Sequence, residues 1–127
     1  LLYKMSIMKK HLTILSVFFS FSYASNFLVG MEDIPIFKEM QYVEDTLIMF
    51  DKIDGRFVST EVTGNYEKKD VEIFYNKALP NLGWRKIDED KYERSNELLE
   101  LDYNPGENSL NIIFSISPKK YQKNLTE

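Results

Sequence analysis

Gly64-Asn65-Tyr66-Glu67-Lys68-Lys69-Asp70-Val71-Glu72-Ile73-Phe74-Tyr75-Asn76-Lys77-Ala78-Leu79-Pro80-Asn81-Leu82-Gly83-Trp84 decides the fold. Val71, Phe74, Tyr75 and Ala78 fall at i, i+3, i+4 and i+7, the apolar stripe of a helix laid on a core. Asn65 is placed to cap the helix by accepting a free first-turn amide, and Glu67 puts a negative charge near the positive end of the helix dipole. Pro80 is expected to stop the helix, and Leu79, standing before a proline, is biased away from the α region. Gly83 permits a sharp bend. Trp84 then opens the next element.

Strand patterns lie on both sides of this helix. Upstream, Thr46-Leu47-Ile48-Met49-Phe50 puts apolar groups on both faces, which predicts a central or covered strand. Residues 51–55 form a turn in which Asp54-Gly55 supplies a left-handed position. Residues 56–63 return, with Val58, Thr60 and Val62 on one face and Phe57, Ser59 and Glu61 on the other. Downstream, residues 84–87 and 91–95 pair across an Asp88-Glu89-Asp90 turn. Residues 97–103 alternate, with Leu99, Leu101 and Tyr103 against Glu100 and Asp102. After an Asn-Pro-Gly turn, Leu110, Ile112, Phe114 and Ile116 share one face of the clearest strand, which Pro118 ends. The order is β-β-α-β-β-β-β. Short connections favour antiparallel neighbours, and one helix covers only one face. The expected fold is therefore α+β, a two-layer sandwich of an antiparallel sheet of about five to six strands with one helix on one face.

The segments Gly55-Arg56, Gly64, Val71-x-x-Phe74-Tyr75-x-x-x-Leu79-Pro80-x-Leu82-Gly83-Trp84, Tyr92-x-Arg94 and Glu97-x-Leu99 resemble an uncharacterised group of small exported bacterial proteins that carry an FYxxxLPxLGW phrase. The likeness runs from about Ile34 to Pro118. It implies an exported location and a helix-then-strands fold. It implies no activity, and no catalytic residue is carried over.

The beginning of the chain has the three parts of an export signal. Lys9, Lys10 and His11 are basic, residues 12–21 are mostly apolar, and Ser22-Tyr23-Ala24 is a small-x-small site. Cleavage is expected between Ala24 and Ser25. Met8-Lys9-Lys10 is a natural translation start, with a non-ATG start at Leu1 as the alternative. The apolar run is shorter than the roughly 20 residues a spanning helix needs, so no stable membrane anchor is expected after cleavage. On this reading residues 1–24 are a signal peptide and residues 25–44 an extended lead-in whose apolar side chains pin it to the core. Residues 45–118 form one α+β domain, and residues 119–127 a flexible tail.

Of 127 residues, 16 are basic and 20 acidic, for a net charge of −4. Cleavage removes Lys4, Lys9 and Lys10, leaving 13 basic residues and a net charge of −7. Such a domain repels phosphate backbones and anionic membranes. There is no cysteine, and the single histidine, His11, lies in the predicted signal. The expected mature chain therefore has no Ser-His-Asp or Cys-His nucleophile system and no imidazole or thiolate zinc site. Phosphate-cradling glycine motifs are missing, and neither Asp88-Glu89-Asp90 nor Asp51-Lys52-Ile53-Asp54-Gly55 has the ligand spacing of a calcium loop. No cofactor and no enzyme activity are expected.

Two classes of function follow, with a weaker third. The first is a non-catalytic interaction or accessory module of the cell envelope, working through a sheet face or edge on an envelope protein. An apolar patch including Phe57, Leu98 and Ile113 on the uncovered face would favour it. The second is a carrier of a small apolar ligand, with a cavity between sheet and helix lined by Tyr75, Trp84, Leu101 and Phe114. The third is a carboxylate-based hydrolase, which needs facing carboxylates in a cleft, one with a raised pKa. Arg56, Tyr75, Trp84 and Arg94 are the candidate contacts to a partner or ligand. For the two arginines the competing reading is an internal ion pair, with Glu97 or Asp54, or simple exposure.

Overall fold

A computed structural model describes residues 26–119; the predicted signal, its Ala24–Ser25 cleavage site and the tail beyond residue 119 lie outside the described residues. One helix packs on an antiparallel sheet, as expected, and the sheet has seven strands rather than five or six. The strands are β1 (Phe27–Leu28), β2 (Met31–Pro35), β3 (Gln41–Tyr42), β4 (Ile48–Lys52), β5 (Gly55–Gly64), β6 (Arg85–Asp88), β7 (Lys91–Arg94), β8 (Glu97–Pro105) and β9 (Leu110–Pro118), and α1 is Lys68–Asn81. β1 and β2 form a separate small hairpin. The main sheet runs β3-β5-β9-β8-β7-β6, and β4 shares with β3 the edge of β5 that β9 does not occupy.

The topology explains where the helix lies. Four antiparallel steps separate β5 from β6, so the two strands run in the same direction at opposite sides of the sheet. The chain must cross the sheet between them, and α1 makes that crossing. It buries Val71, Tyr75 and Leu79 against the sheet, while Phe74 is half-buried beside them. The strand register aligns the side chains they meet: Val58–Ile116–Leu99–Tyr92 in one row and Thr60–Phe114–Leu101 in the next. These positions alternate along each strand, so a single register places all of them on the covered face.

The helix boundaries differ from those expected. The N-cap is Glu67, extended at φ −71°, ψ 133°, with no side-chain capping bond; Asn65 lies outside the helix. The Glu67 carbonyl accepts the Asp70 and Val71 amides at 3.1 and 3.3 Å instead. Pro80 does not stop the helix either. In the last turn a proline forfeits only its own N–H, and the backbone continues to Asn81. Termination falls to Gly83, which takes φ +89°, a left-handed value that costs a residue without Cβ little. The amides of Leu82 and Trp84 then close on the Leu79 carbonyl, both at 3.0 Å.

One expectation about the strands changes, and another is refined: the lead-in contains strands. β4 was expected to be covered, because its apolar groups point both ways; it is an edge strand with all five residues exposed. Residues 27–42, without evident periodicity, supply Leu28, Met31, Ile34, Phe37 and Met40 to the core. Those residues recur every third position, a spacing that matches neither strand nor helix. Tyr75 ties this layer to α1: its hydroxyl donates to the Pro35 carbonyl at 2.8 Å and accepts the Phe37 amide at 3.2 Å.

Candidate interaction surface

The residues that alternate with the core positions form the other face of the sheet, which no described element covers. The register lays Phe50–Phe57 and Ser117–Leu98–Glu93–Arg85 across it, and Ile48–Ser59–Ser115–Glu100–Lys91 as the next row. Serines stand on β5 and β9 beside the large apolar residues Phe50 of β4, Phe57 of β5, Leu98 of β8 and Ile113 of β9, and the β7–β6 side carries Glu93, Arg85 and Lys91. A serine in place of a branched residue lowers the floor of the sheet by a few heavy atoms. The result is a groove of about 370 Å³ with Phe57, Ile87, Leu98, Ser115 and Ser117 among its lining residues. A second, of about 300 Å³, adjoins it at Phe57 and reaches Ile48, Phe50 and Pro118. A third continues past Ile48 to Ser59, Glu61 and Ile113.

The face is ordered by its own contacts. Phe50 and Phe57 stack at 4.9 Å between centroids and 20° between planes, and the Lys52 ammonium lies 5.4 Å from the Phe50 ring. Ser115 and Ser59 hydroxyls meet at 3.3 Å across the groove floor. At the far side Glu93 is held by Arg85 and by Lys119, the latter at 3.0 Å. Phe57, Leu98 and Ile113 are all half-buried here, together with the exposed Ile48, Phe50 and Ile87. Apolar area is thus left open on this face, with Lys91 and Glu100 also lining the first groove and Glu61 and Asp102 flanking Ile113.

The four side chains singled out from sequence all have internal roles. Tyr75 is the clamp described above, and burial raises its phenol pKa, a shift that the Phe37 amide partly opposes. Arg56 pairs with Glu97 through Nε–Oε2 at 2.8 Å and a second bond at 3.3 Å. That hydrogen-bonded carboxylate, against some burial, holds the guanidinium pKa above its ordinary value. Arg94 donates to Asp33 Oδ2 at 2.7 Å and to the Leu82 carbonyl at 3.0 Å, and its guanidinium lies 4.1 Å from the Trp84 ring. Trp84 is buried beneath it. Register pairs Glu97 with Arg94, and alternation puts Arg56, Glu97 and Arg94 on the same face as Val58, Leu99 and Tyr92. With Asp33 they form an alternating line of charge that ties the N-terminal layer to the sheet. The side chains expected to line a carrier cavity are packed against one another instead. Tyr75 and Phe114 meet edge-on at 5.2 Å, and neither Trp84 nor Leu101 is accessible.

One carboxylate is perturbed. Burial, with Glu72 adding repulsion, raises the Asp90 carboxyl above its ordinary range. Asp90 sits at φ +59° in the β6–β7 turn, near the end of the sheet where Tyr92 donates to Asn76 at 2.7 Å. Burial, then Asp90 and Glu72, raises the Tyr103 phenol in turn. Neither Asp90 nor Glu72 lines any groove of the open face. Among the described residues no group of three or more metal-ligating side chains gathers, and no helix is long and apolar enough to cross a membrane.

No family model, curated protein or solved structure matches the chain. Its class is therefore defined by its own geometry: an α+β sandwich with one helix-covered face and one open, partly apolar face.

Proposed function

We propose that the protein is a non-catalytic interaction module of the bacterial cell envelope, exported by its N-terminal signal and working through the open face of its sheet. The observation that carries this reading is the strip formed by Ile48, Phe50, Phe57, Leu98 and Ile113 around a serine floor. Ile48 and Phe50 stand exposed, and Phe57, Leu98 and Ile113 are only half-buried, so this face keeps apolar area open to a partner. The basic, apolar and small-residue parts of residues 9–24 and the resemblance to small exported proteins support the location. The partner is an envelope protein; the acidic balance of the domain disfavours nucleic acid.

Mild crosslinking in envelope fractions of the producing bacterium, followed by recovery of the protein, tests the reading. Partners are expected with the native chain and expected to be lost with Phe57→Ser and Leu98→Ser, both of which leave the covered face intact. Recovery of the protein alone, or of the same partners with both variants, would refute the open face as the working surface.

A further inference from the structure

The two edges of the sheet are built differently. β6 is four residues long and carries Arg85, Lys86 and Asp88, and its register is broken between Lys86 and Asp88. Charge, shortness and irregularity are the usual protections of an edge against pairing. β4 has none of them along its apolar part. It pairs with β5 without a register shift, contains no proline, and presents Ile48 at 53% and Met49 at 57% exposure beside Phe50. Leu47 extends the apolar run at its start. Among the described residues no strand lies beyond it. An exposed apolar edge strand without these protections is a template on which a further strand can pair.

The flanks of the run indicate what the missing neighbour carries. Residues 44–54 hold four exposed carboxylates, Glu44, Asp45, Asp51 and Asp54, against Lys52 alone. Pairing with a second copy gathers these charges. Antiparallel strands bring the Glu44–Asp45 end of one copy beside the Asp54 end of the other, and parallel strands set like beside like. An extended segment with an apolar centre and basic ends meets no such repulsion.

We propose that β4 is a docking edge that accepts such a segment from a partner protein, adding one strand to the sheet. Main-chain bonds along β4 supply affinity, as in other strand additions. Alternate side chains of the added strand fall beside Ile48 and Phe50 and continue the apolar strip of the open face. The inference rests on the interaction reading above and specifies how the partner is held.

The test uses the 15N-labelled full chain and three blocked peptides. These are KKITVTIKK, EEITVTIEE, and KKITVTIKK N-methylated at alternate residues, which keeps side chains and charges but removes main-chain donors. Binding of the first is expected to shift amides of residues 47–53. It is expected to be at least about 10-fold tighter than the acidic peptide at low salt, with the gap closing at high salt. N-methylation and Met49→Lys are each expected to weaken it at least about 10-fold, as a blocked or charged edge requires. Shifts centred on Leu98 and Ile113, with the N-methylated peptide bound equally well, would overturn the edge and leave the open-face reading standing. Equal binding of the acidic peptide would overturn the choice of occupant. Dimerisation in place of peptide binding, abolished by Met49→Lys, would assign the edge to a second copy instead. No binding of any peptide at millimolar concentration would overturn the proposal outright.

Discussion

Phe114 and Ser115 are neighbours in β9 with opposite surroundings. Phe114 points into the layer formed by α1 and the N-terminal segment, between Thr60 and Leu101, while Ser115 points into the groove of the open face. The same division separates Val58 from Phe57 and Leu99 from Leu98. On the covered face branched and aromatic side chains fill all the space, and the fold depends on them. On the open face small residues in the middle strands keep space free, and the apolar residues around that space have little to stabilise. Alternation along a strand thus lets one set of backbone bonds support a packed core and an open face.

Phe114→Ala should break this division most severely. It should cost about 3–5 kcal/mol in chemical denaturation, against less than about 1 kcal/mol for Ile113→Ala next to it. Equal losses would mean that the open face is also core. Tyr75→Phe should follow, at about 1–3 kcal/mol, because it strands the Pro35 carbonyl and the Phe37 amide while leaving the ring in place. Hydrogen exchange should then rise in residues 27–40 before it rises in β8 and β9.

Thr60→Val sharpens the comparison in the opposite direction. The Thr60 hydroxyl is a buried polar atom of the covered face without a hydrogen-bond partner. Replacing it by a methyl of the same shape should raise stability by about 1 kcal/mol. A loss instead would mean that the hydroxyl has a bonding role in the folded protein.

Asp90→Asn should have the smallest effect. Burial raises the folded-state pKa of Asp90 above its unfolded value, so ionisation opposes folding. The stability tied to the protonated form is fully present below the unfolded pKa and is lost as pH rises through the folded one. The neutral variant escapes that loss. It should melt about 1–2 °C higher near pH 7, with the gain gone at about pH 3. Asparagine also accepts the left-handed backbone of that turn. A gain that persists at low pH would trace to the backbone rather than to the charge.

Most of the fold was legible in local pattern. Period-two alternation in residues 56–63, 97–103 and 110–116 marked three strands that the structure places side by side as β5, β9 and β8. The i, i+3, i+4, i+7 stripe marked α1. The misses have physical causes. Asn65 looked like a cap because side-chain chemistry is visible in sequence, whereas the Glu67 carbonyl that serves is common to every residue. Pro80 looked like a stop because a proline's cost depends on how many turns follow it, which sequence does not state. The layer of residues 27–42 escaped because its period of three matches no regular element.

The candidate site was less legible, for a related reason. Arg56 and Arg94 attract attention as isolated cations, but their partners Glu97 and Asp33 lie 41 and 61 residues away. A pairing over that distance exists only once the sheet has closed. Phe57, Leu98 and Ile113 were placed on a common face by alternation alone. Their convergence with Ile48, Phe50 and three serines needed the strand order.

Residue order by itself determined the helix, the strands of residues 55–118 and the face their side chains take, because periodicity is a local property. Tertiary structure alone decided that β4 is an edge, that β9 lies between β5 and β8, and that four prominent side chains serve the interior. Those outcomes follow from which distant segments meet, and pairing free energy between them is not written in either segment alone.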